Sequence, residues 1–291
     1  EGGPKKIWSR PLGAVYSTIA FVDDRLYTMY REGDDEIVVA LDSQTGKNVW
    51  ENKYAAPLPE GMDPQFGKGP NATPLVHDGK VYTFGIGGKL HCIDQKTGKT
   101  AWSHDVLAEF GAKAPKFGFS SSPMAYKDMI ITLVGGEDAA IVAFDKTDGH
   151  VLWKKHSFKN SYSTPKLINL DGEDQVVTYM ANEIIGLDPK NGDLKWRYAI
   201  ENQWGQNICL PIWNAESRML FFSGSEAGAR GVKLTRKGDK TELEEIWSSK
   251  KIQFYHVTSV AIGDYVYGST GQRDPSFFAA INIKDGKVAW R

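Results

Sequence analysis

Asp42-Ser-Gln-Thr-Gly46-Lys-Asn-Val-Trp50 is one copy of a pattern that recurs along the whole chain. A second copy runs from Asp94 through Gly98 to Trp102. Five copies place an Asp or Asn eight residues before the Trp and a Gly four residues before it. The other three copies run from Asp145 through Gly149 to Trp153, from Asp188 through Gly192 to Trp196, and from Asn282 through Gly286 to Trp290.

The five tryptophans of this pattern, together with Trp8 and Trp247, recur at intervals of 42 to 52 residues. From Trp8 to Trp290 the chain runs 282 residues in six intervals, a mean of 47. The seven members are Trp8, Trp50, Trp102, Trp153, Trp196, Trp247 and Trp290. Periods of this length fit either a four-stranded propeller blade or a helical repeat of the HEAT type.

The local chemistry favours strands. Gly supplies the positive φ that a short hairpin loop needs, and the preceding Asp can bind the free N–H groups of the turn. Short β-branched runs such as Ile37–Leu41 and Ala140–Phe144 lie before the turns. No segment has a sustained helical period with caps, which disfavours the helical repeat. Two stacked β-sheets would not explain five copies of one spacing.

The sequence therefore predicts an all-β fold, a single β-propeller of four-stranded antiparallel blades. Each Trp is expected to pack between adjacent blades. In blade five Gly238-Asp239 precedes Trp247 at a longer distance, which predicts an extended outer hairpin. The six blades are expected at about 13–54, 55–106, 107–157, 158–200, 201–250 and 251–291.

Residues 1–12 are expected to carry a spare outer strand around Trp8. Such a strand would pair with the first three strands of a last blade, so the intact protein is expected to have seven or eight blades. The rival interpretation is a six-bladed ring in which these residues lie on the surface.

Composition excludes several classes of function. The formal net charge is −1, and the chain has no run of five like charges, so the sequence does not predict nucleic-acid binding. No apolar stretch is long enough to predict a transmembrane helix. Cys92 and Cys209 show no metal-ligand spacing, and we interpret both as small buried apolar residues rather than a disulfide.

The segment Ala40-Leu-Asp-x-x-Thr-Gly-Lys-x-x-Trp50 and its copies resemble the repeat of quinoprotein-type propellers, which carry pyrroloquinoline quinone in some members. The resemblance covers nearly the whole chain. It implies an extracytoplasmic location, periplasmic or secreted. Members include quinone-dependent alcohol dehydrogenases and the lipoprotein of the outer-membrane β-barrel assembly machine. The dehydrogenases use adjacent cysteines and a calcium site, and neither can be matched to residues of this chain.

Loops at one mouth of the propeller are the predicted binding site. The connections Tyr54–Gly69 and Ser103–Phe117 are long and should fold over the same face. Residues at the starts of the innermost strands should ring the same mouth. The candidate ligand-binding residues are Tyr16, Asn71, Ser121, Tyr162, Trp204, Gln206, Asn207 and His256. The alternative is that these side chains bond one another and internal water.

Catalytic and metal motifs are weak. The six histidines, His150 among them, have no ligand spacing, Asp171–Asp174 is an acidic hairpin tip, and Gly85–Gly88 precedes a strand rather than a helix. We therefore expect a non-catalytic scaffold that binds a protein, peptide or glycan, with no cofactor and no metal. The alternative is a dehydrogenase-like oxidoreductase that binds pyrroloquinoline quinone and calcium. A polysaccharide lyase or hydrolase is a third class, disfavoured because no acid–base pair is evident.

Overall fold

A computed structural model describes residues 3–224, 227–271 and 276–291. The chain divides into two compact units, one ending at His156 and the other beginning at Ser157. Each unit contains three four-stranded antiparallel sheets, and the strands of each sheet follow one another in chain order. The prediction of six four-stranded antiparallel blades is confirmed.

The first unit contains the first three sheets. The first sheet consists of β1 Ala20–Val22, β2 Arg25–Glu32, β3 Asp35–Asp42 and β4 Asn48–Ala55. The second consists of β5 Leu75–His77, β6 Lys80–Phe84, β7 Lys89–Asp94 and β8 Thr100–Asp105. The third consists of β9 Met124–Tyr126, β10 Met129–Gly136, β11 Ala139–Asp145 and β12 Val151–Lys155. A 3-10 turn, Pro64–Phe66, and a short helix, α1 Val106–Phe110, lie in the two long connections.

The second unit contains the other three sheets. The fourth sheet consists of β13 Lys166–Leu170, β14 Glu173–Tyr179, β15 Glu183–Leu187 and β16 Leu194–Ala199. The fifth consists of β17 Ile212–Asn214, β18 Met219–Gly224, β19 Gly228–Lys237 and β20 Lys240–Ser249. The sixth consists of β21 Val260–Ile262, β22 Tyr265–Thr270, β23 Phe277–Asn282 and β24 Val288–Trp290.

The innermost strands begin later than the sequence predicts. The expected starts at Asn71, Ser121 and Tyr162 were wrong: these strands begin immediately after Pro74, Pro123 and Pro165. Proline has no N–H to give to a ladder, so the polar residues before it lie in irregular segments. The strands expected to begin at Tyr16 and His256 likewise begin at Ala20 and Val260.

Four tryptophans of the series stack on the glycine turn of a neighbouring sheet. The ring of Trp50 lies where a Cβ on Gly98 would stand, and its Nε1–H donates to the Gln95 carbonyl at 2.9 Å. Gly98 has a φ of +70°, which no other residue adopts without strain. The same ring-on-glycine contact joins Trp8 to Gly46, Trp102 to Gly149 and Trp247 to Gly286.

Trp8 makes this contact without belonging to a strand. Residues 3–12 pair with no strand in the described part of the chain, and the spare outer strand for a last blade stays a prediction. Its Nε1–H donates to the Ser43 carbonyl at 2.9 Å, three residues before the turn glycine. The side chain of Arg10 continues the contact by donating to the carbonyl of Gly46 at 3.3 Å. A single extended segment thus occupies the place that an outer Trp strand occupies elsewhere.

A small residue stands opposite each strand tryptophan. Trp50 pairs with Ala40, Trp102 with Cys92, and Trp196 with Gly186. The small side chain leaves space for the indole ring beside the neighbouring strand. This position explains why Cys92 is fully buried and free, as the second cysteine, Cys209, also is. Burial raises the pKa of the Cys92 thiol to about 11, so it is an unreactive thiol at neutral pH.

The junction between the fourth and fifth sheets uses different groups. The extended hairpin predicted for blade five is present, with ten residues in each of β19 and β20. Trp196 donates its Nε1–H to Oε1 of Gln175 at 2.7 Å instead of to a turn carbonyl. Gln175 then donates to Oγ1 of Thr241 in the extended hairpin at 2.9 Å. A buried amide therefore connects the two sheets, while the turn glycine of the extended hairpin, Gly238, has nothing within 4 Å of its Cβ position.

Candidate functional site

The Trp204 loop is the best-defined candidate site in the second unit. Trp204 is 64% exposed and takes no part in the contacts between sheets that the repeat tryptophans make. Its backbone is nevertheless fixed, because Oδ1 of Asn202 accepts the N–H groups of both Trp204 and Gly205, each at 3.1 Å. Gly205 has a φ of +64°. An exposed indole on a fixed backbone can contact a ligand at little entropic cost.

Asn207 holds this loop rather than facing solvent. Its side chain is fully buried, and Nδ2 donates to the carbonyls of Met180 and Ala181 at 2.8 and 3.1 Å. Oδ1 accepts from Asn202 at 2.8 Å. The amide of the predicted ligand residue Asn207 is therefore bound to Asn202 of the loop and to Met180 and Ala181 outside it, which is the internal bonding that the sequence left open as an alternative.

Two further predicted residues meet near this loop. Gln206 accepts through Oε1 from the hydroxyl of Tyr255 at 2.8 Å. The exposed ring of His256 lies edge-on to Tyr255, with centroids 4.2 Å apart. Partial desolvation lowers the pKa of His256, so the ring is neutral at pH 7. Tyr255 was missed by the sequence analysis because it lies one residue before the position that the strand pattern singled out.

Tyr162 lies at the other end of the same network. Its backbone N–H donates to the carbonyl of Asn207 at 3.0 Å, and its side chain is half-buried. The neighbouring Ser161 donates to the same carbonyl at 2.7 Å. In the second unit, Tyr162 is therefore hydrogen-bonded to the backbone of Asn207, and the Asn202 side chain connects Asn207 to Trp204. Tyr255 connects Gln206 to His256.

Tyr16, Asn71 and Ser121 lie in the first unit. Tyr16 is 59% exposed, and its ring lies on Gly67, where a Cβ would stand 2.3 Å from the hydroxyl oxygen. Asn71 is half-buried. The hydroxyl of Ser121 is buried and has no hydrogen-bond partner among the described residues. These three residues do not form one cluster through any contact that the structure describes.

The two long connections contact each other in the first unit. The backbone N–H of Asp63 donates to the carbonyl of Lys116 at 2.7 Å, and the side chains of the two residues form an ion pair at 3.5 Å. The rings of Phe66 and Phe117 meet edge to face, with centroids 4.8 Å apart. Phe66 is 64% exposed. We call Tyr16, Phe66 and Phe117 the paired-loop surface.

A buried polar cluster lies behind this surface. The Glu36 side chain is fully buried and accepts at 2.9 Å both from the Ile86 N–H and from the Tyr54 hydroxyl. Burial raises the pKa of Glu36, although these hydrogen bonds and Arg31 oppose the shift. His91 stacks on Tyr54 at 3.9 Å, and burial lowers the pKa of His91 to about 4.

Metal ligands are sparse in the described part of the chain. Asp145, Asp148 and His150 bring ligand atoms within 4.8 Å of one another on an exposed turn. The same atoms already hold that turn, since Oδ1 of Asp148 binds both the N–H and Nδ1 of His150. Such self-contained turn bonding is ordinary for Asp.

The acidic hairpin at Asp171–Asp174 is neutralised by cations of the protein. Asp171 pairs with Arg218 at 2.9 Å, and Glu173 pairs with Lys195 at 2.8 Å. Arg236 of the extended hairpin donates to the Asp171 carbonyl at 3.1 Å. These pairs satisfy the carboxylates without a metal ion.

The quinone-dependent alternative needs adjacent cysteines and a calcium-binding set of carboxylates. The chain has two cysteines, 117 residues apart, and both are buried. Glu36, the fully buried carboxylate of the first unit, has both oxygens engaged by Ile86 and Tyr54. These cysteines and Glu36, in the part of the chain that the structure describes, therefore do not supply those two features, and no catalytic step is derived from them.

Comparison with known proteins agrees with this geometry. A family model described as "Outer membrane protein assembly factor BamB" matches residues 34–291. The chain belongs to this family. Its fold is that of a β-propeller with quinoprotein-type repeats. No helix in the described ranges is long and apolar enough to cross a membrane.

Solved structures show the same fold at low identity. The chain is similar to BamB from Moraxella catarrhalis, with 17% identity, a TM-score of 0.66, and coverage of 96% of this chain and 74% of that chain. A europium-containing methanol dehydrogenase gives 14% identity and a TM-score of 0.64, over 94% of this chain and 68% of that chain.

Curated relatives match only in part. The quinoprotein alcohol dehydrogenase PedH of Pseudomonas putida is 27% identical over 151 residues, which is 47% of this chain and 24% of that protein. The quinohemoprotein alcohol dehydrogenase ADH-IIG of Pseudomonas putida is 27% identical over 54% of this chain and 22% of that protein. The chain thus spans about a quarter of the length of the relatives it matches.

Proposed function

We propose that the chain is a non-catalytic binding module that acts outside the cytoplasm and presents the Trp204 loop to a protein or peptide. The carrying observation is that Trp204 is 64% exposed on a backbone held by Asn202 and Asn207. Aromatic anchors of this kind dominate the energetics of protein interfaces. Family membership supports the proposal, since the family is described as an assembly factor of outer-membrane proteins.

The neighbouring groups suit a polypeptide ligand. Gln206, two residues after Trp204, offers an amide that Tyr255 fixes through its hydroxyl, and His256 offers a neutral imidazole against the Tyr255 ring. An apolar ring next to a few fixed polar groups can take an apolar side chain while bonding the partner's backbone. A glycan could stack on the same indole, and it is the other outcome that the experiment distinguishes.

Site-specific photocrosslinking tests the proposal in cells that express the full-length protein. A photoreactive residue at Gln203 should give a discrete protein adduct, and Trp204→Ala should weaken that adduct by about tenfold or more. Ile246→Ala is the matched control, because Ile246 is also an exposed apolar residue but lies on β20. Absence of a protein adduct, or equal loss in both variants, would contradict the proposal.

A quinone-dependent oxidoreductase is the second candidate, favoured by the similarity to PedH and to the methanol dehydrogenase. Its test is a titration with pyrroloquinoline quinone, with and without calcium, followed by tryptophan fluorescence and dye-coupled alcohol oxidation. Saturable, calcium-dependent binding with turnover would replace the leading proposal. No binding up to the solubility of the quinone would remove this candidate.

A further inference from the structure

The turn Gly85-Ile86-Gly87-Gly88, between β6 and β7, contacts both long connections of the first unit. Its Ile86 carbonyl accepts the N–H of Phe119 at 2.9 Å, and its Gly88 carbonyl accepts the N–H of Val106 at 3.1 Å. These two bonds hold the two ends of the second long connection. We call residues 85–88 the hub turn.

The first long connection rests on the same hub turn. An added Cβ on Gly87 would meet the Pro57 carbonyl oxygen at 3.5 Å and the ring of Pro59 at 3.6 Å. An added Cβ on Gly118, in the second connection, would meet both Ile86 and Met62 of the first connection. The hub turn therefore lies so close to the first connection that one added carbon atom on Gly87 would touch it, and it is hydrogen-bonded to the second.

Glu36 fixes the hub turn from the first sheet. Its Oε1 accepts the Ile86 N–H at 2.9 Å, while Oε2 lies so close to Gly85 that a Cβ there would stand 2.1 Å away. Ile86 thus uses its N–H for Glu36 and its carbonyl for Phe119. One peptide segment transmits the position of a buried carboxylate to the second long connection.

Arg31 holds the root of the first long connection. Its Nη2 donates to the Ala56 carbonyl at 2.5 Å, and its Nε donates to the Gly33 carbonyl at 3.0 Å. Nη1 lies 3.9 Å from Oε1 of Glu36 and has no hydrogen-bond partner among the described residues. A buried ion pair of this separation is a weak source of stability, since both charges lose hydration. A role in holding the backbone in position accounts for this ion pair better than a role in stability.

We propose that Glu36 is a positioning residue that, with Arg31 and through the hub turn, keeps the two long connections in one arrangement and so preforms the paired-loop surface. The fixed arrangement brings Phe66 onto Phe117 and Asp63 onto Lys116. A preformed surface binds more tightly than one that must order on contact. Any role of this surface in binding a partner rests on the proposed function; the arrangement itself does not.

Hydrogen exchange followed by mass spectrometry tests the proposal on the full chain. Glu36→Ala should speed amide exchange about tenfold or more in both 56–67 and 110–119, because Ile86 loses its acceptor. Exchange in β19 and β20 of the second unit should stay unchanged. Glu36→Gln keeps an acceptor oxygen for the Ile86 N–H, so it should restore slow exchange in both connections.

Three outcomes would overturn the proposal: both connections stay protected in Glu36→Ala, only one of them loosens, or Glu36→Gln exchanges as fast as Glu36→Ala. If Glu36→Ala does not fold, Tyr54→Phe removes only the hydroxyl that donates to Oε2. It should speed exchange in both connections by a smaller factor, about threefold, and unchanged exchange there would count against the proposal. None of these readouts depends on a binding partner, so they can fail independently of the crosslinking test.

Discussion

The junction of the first two sheets and the junction of the fourth and fifth sheets both bind a buried tryptophan, but they do so with different groups. At the first, Trp50 stacks on Gly98 and gives its N–H to a backbone carbonyl. At the other, Trp196 gives its N–H to Gln175, which bonds Thr241. A buried indole needs an acceptor in either case. The comparison shows that the tryptophan is the common element, while the surface it meets can change.

The largest effect should come from removing a tryptophan of the series. Trp153→Ala and Trp50→Ala should each lower the free energy of unfolding by about 3–5 kcal/mol, as large truncations in a core do. Both side chains are buried, at 9% and 8% exposed. Trp204→Ala is the control for losing an exposed indole and should cost less than about 0.5 kcal/mol. A loss below about 1 kcal/mol at Trp50, by urea unfolding, would mean that this tryptophan does not join the first two sheets.

Gly98→Ala should destabilise the junction of the first two sheets, because Gly98 forms the turn on which Trp50 stacks. A Cβ there would stand 2.7 Å from the Trp50 ring, so strain from overpacking adds to the strain of a positive φ, at a total cost of about 3 kcal/mol. Gly79→Ala is a matched control, because Gly79 has nearly the same φ, +71°, and nothing within 4 Å of its Cβ. It should cost about 1 kcal/mol. Equal losses in thermal unfolding would show that the ring contact contributes nothing.

Gln175→Leu should lower the stability of the junction between the fourth and fifth sheets. It leaves the Trp196 N–H and Thr241 hydroxyl without their partner, at an expected cost of about 1–3 kcal/mol. Thr241→Val removes only the second bond and should cost about 1 kcal/mol. Urea unfolding of both variants and of the double variant measures the coupling. Additive losses would contradict a connected Trp196–Gln175–Thr241 chain.

The smallest effect should be a difference in pH dependence, since the first junction holds an ionisable bridge, Glu36, and the other a neutral amide. Burial raises the pKa of Glu36 in the folded chain above its ordinary value of 4.5, so the folded chain binds this proton more tightly than the unfolded chain. The contribution of this carboxyl group to stability is therefore fully present below its ordinary pKa and falls as pH rises through the raised pKa of the folded chain. The free energy of unfolding of wild type relative to Glu36→Gln should increase from pH 7 down to about pH 5. An unchanged difference would contradict the raised pKa.

The repeat could be predicted because its residues are local. Asp94, Gly98 and Trp102 report a turn and a strand within nine residues, and five copies remove the ambiguity. The partner of each Trp could also have been found, since the residue across the ladder is always small, as Ala40 and Cys92 are. This small residue lies ten residues before the Trp, as Ala40 does before Trp50 and Cys92 before Trp102.

The site was less predictable because side-chain direction in irregular segments is set by distant contacts. Trp204 and Asn207 are three residues apart, yet one faces solvent and the other is fully buried. The carbonyls of Met180 and Ala181, 27 and 26 residues upstream, bind the Asn207 amide in the interior. Glu36 has its N–H partner, Ile86, 50 residues away. No spacing rule within one blade reports such a contact.

The tryptophan contact also has an evolutionary consequence. At four junctions the indole N–H meets the carbonyl three residues before the turn glycine. The residues that supply this carbonyl are Ser43, Gln95, Lys146 and Ile283. Every amino acid offers a backbone carbonyl, so selection acts here on the shape of the turn and leaves its side chain free. Blades can therefore differ widely in sequence and change the surface residues that contact partners, while the hydrogen bonds between neighbouring blades are kept.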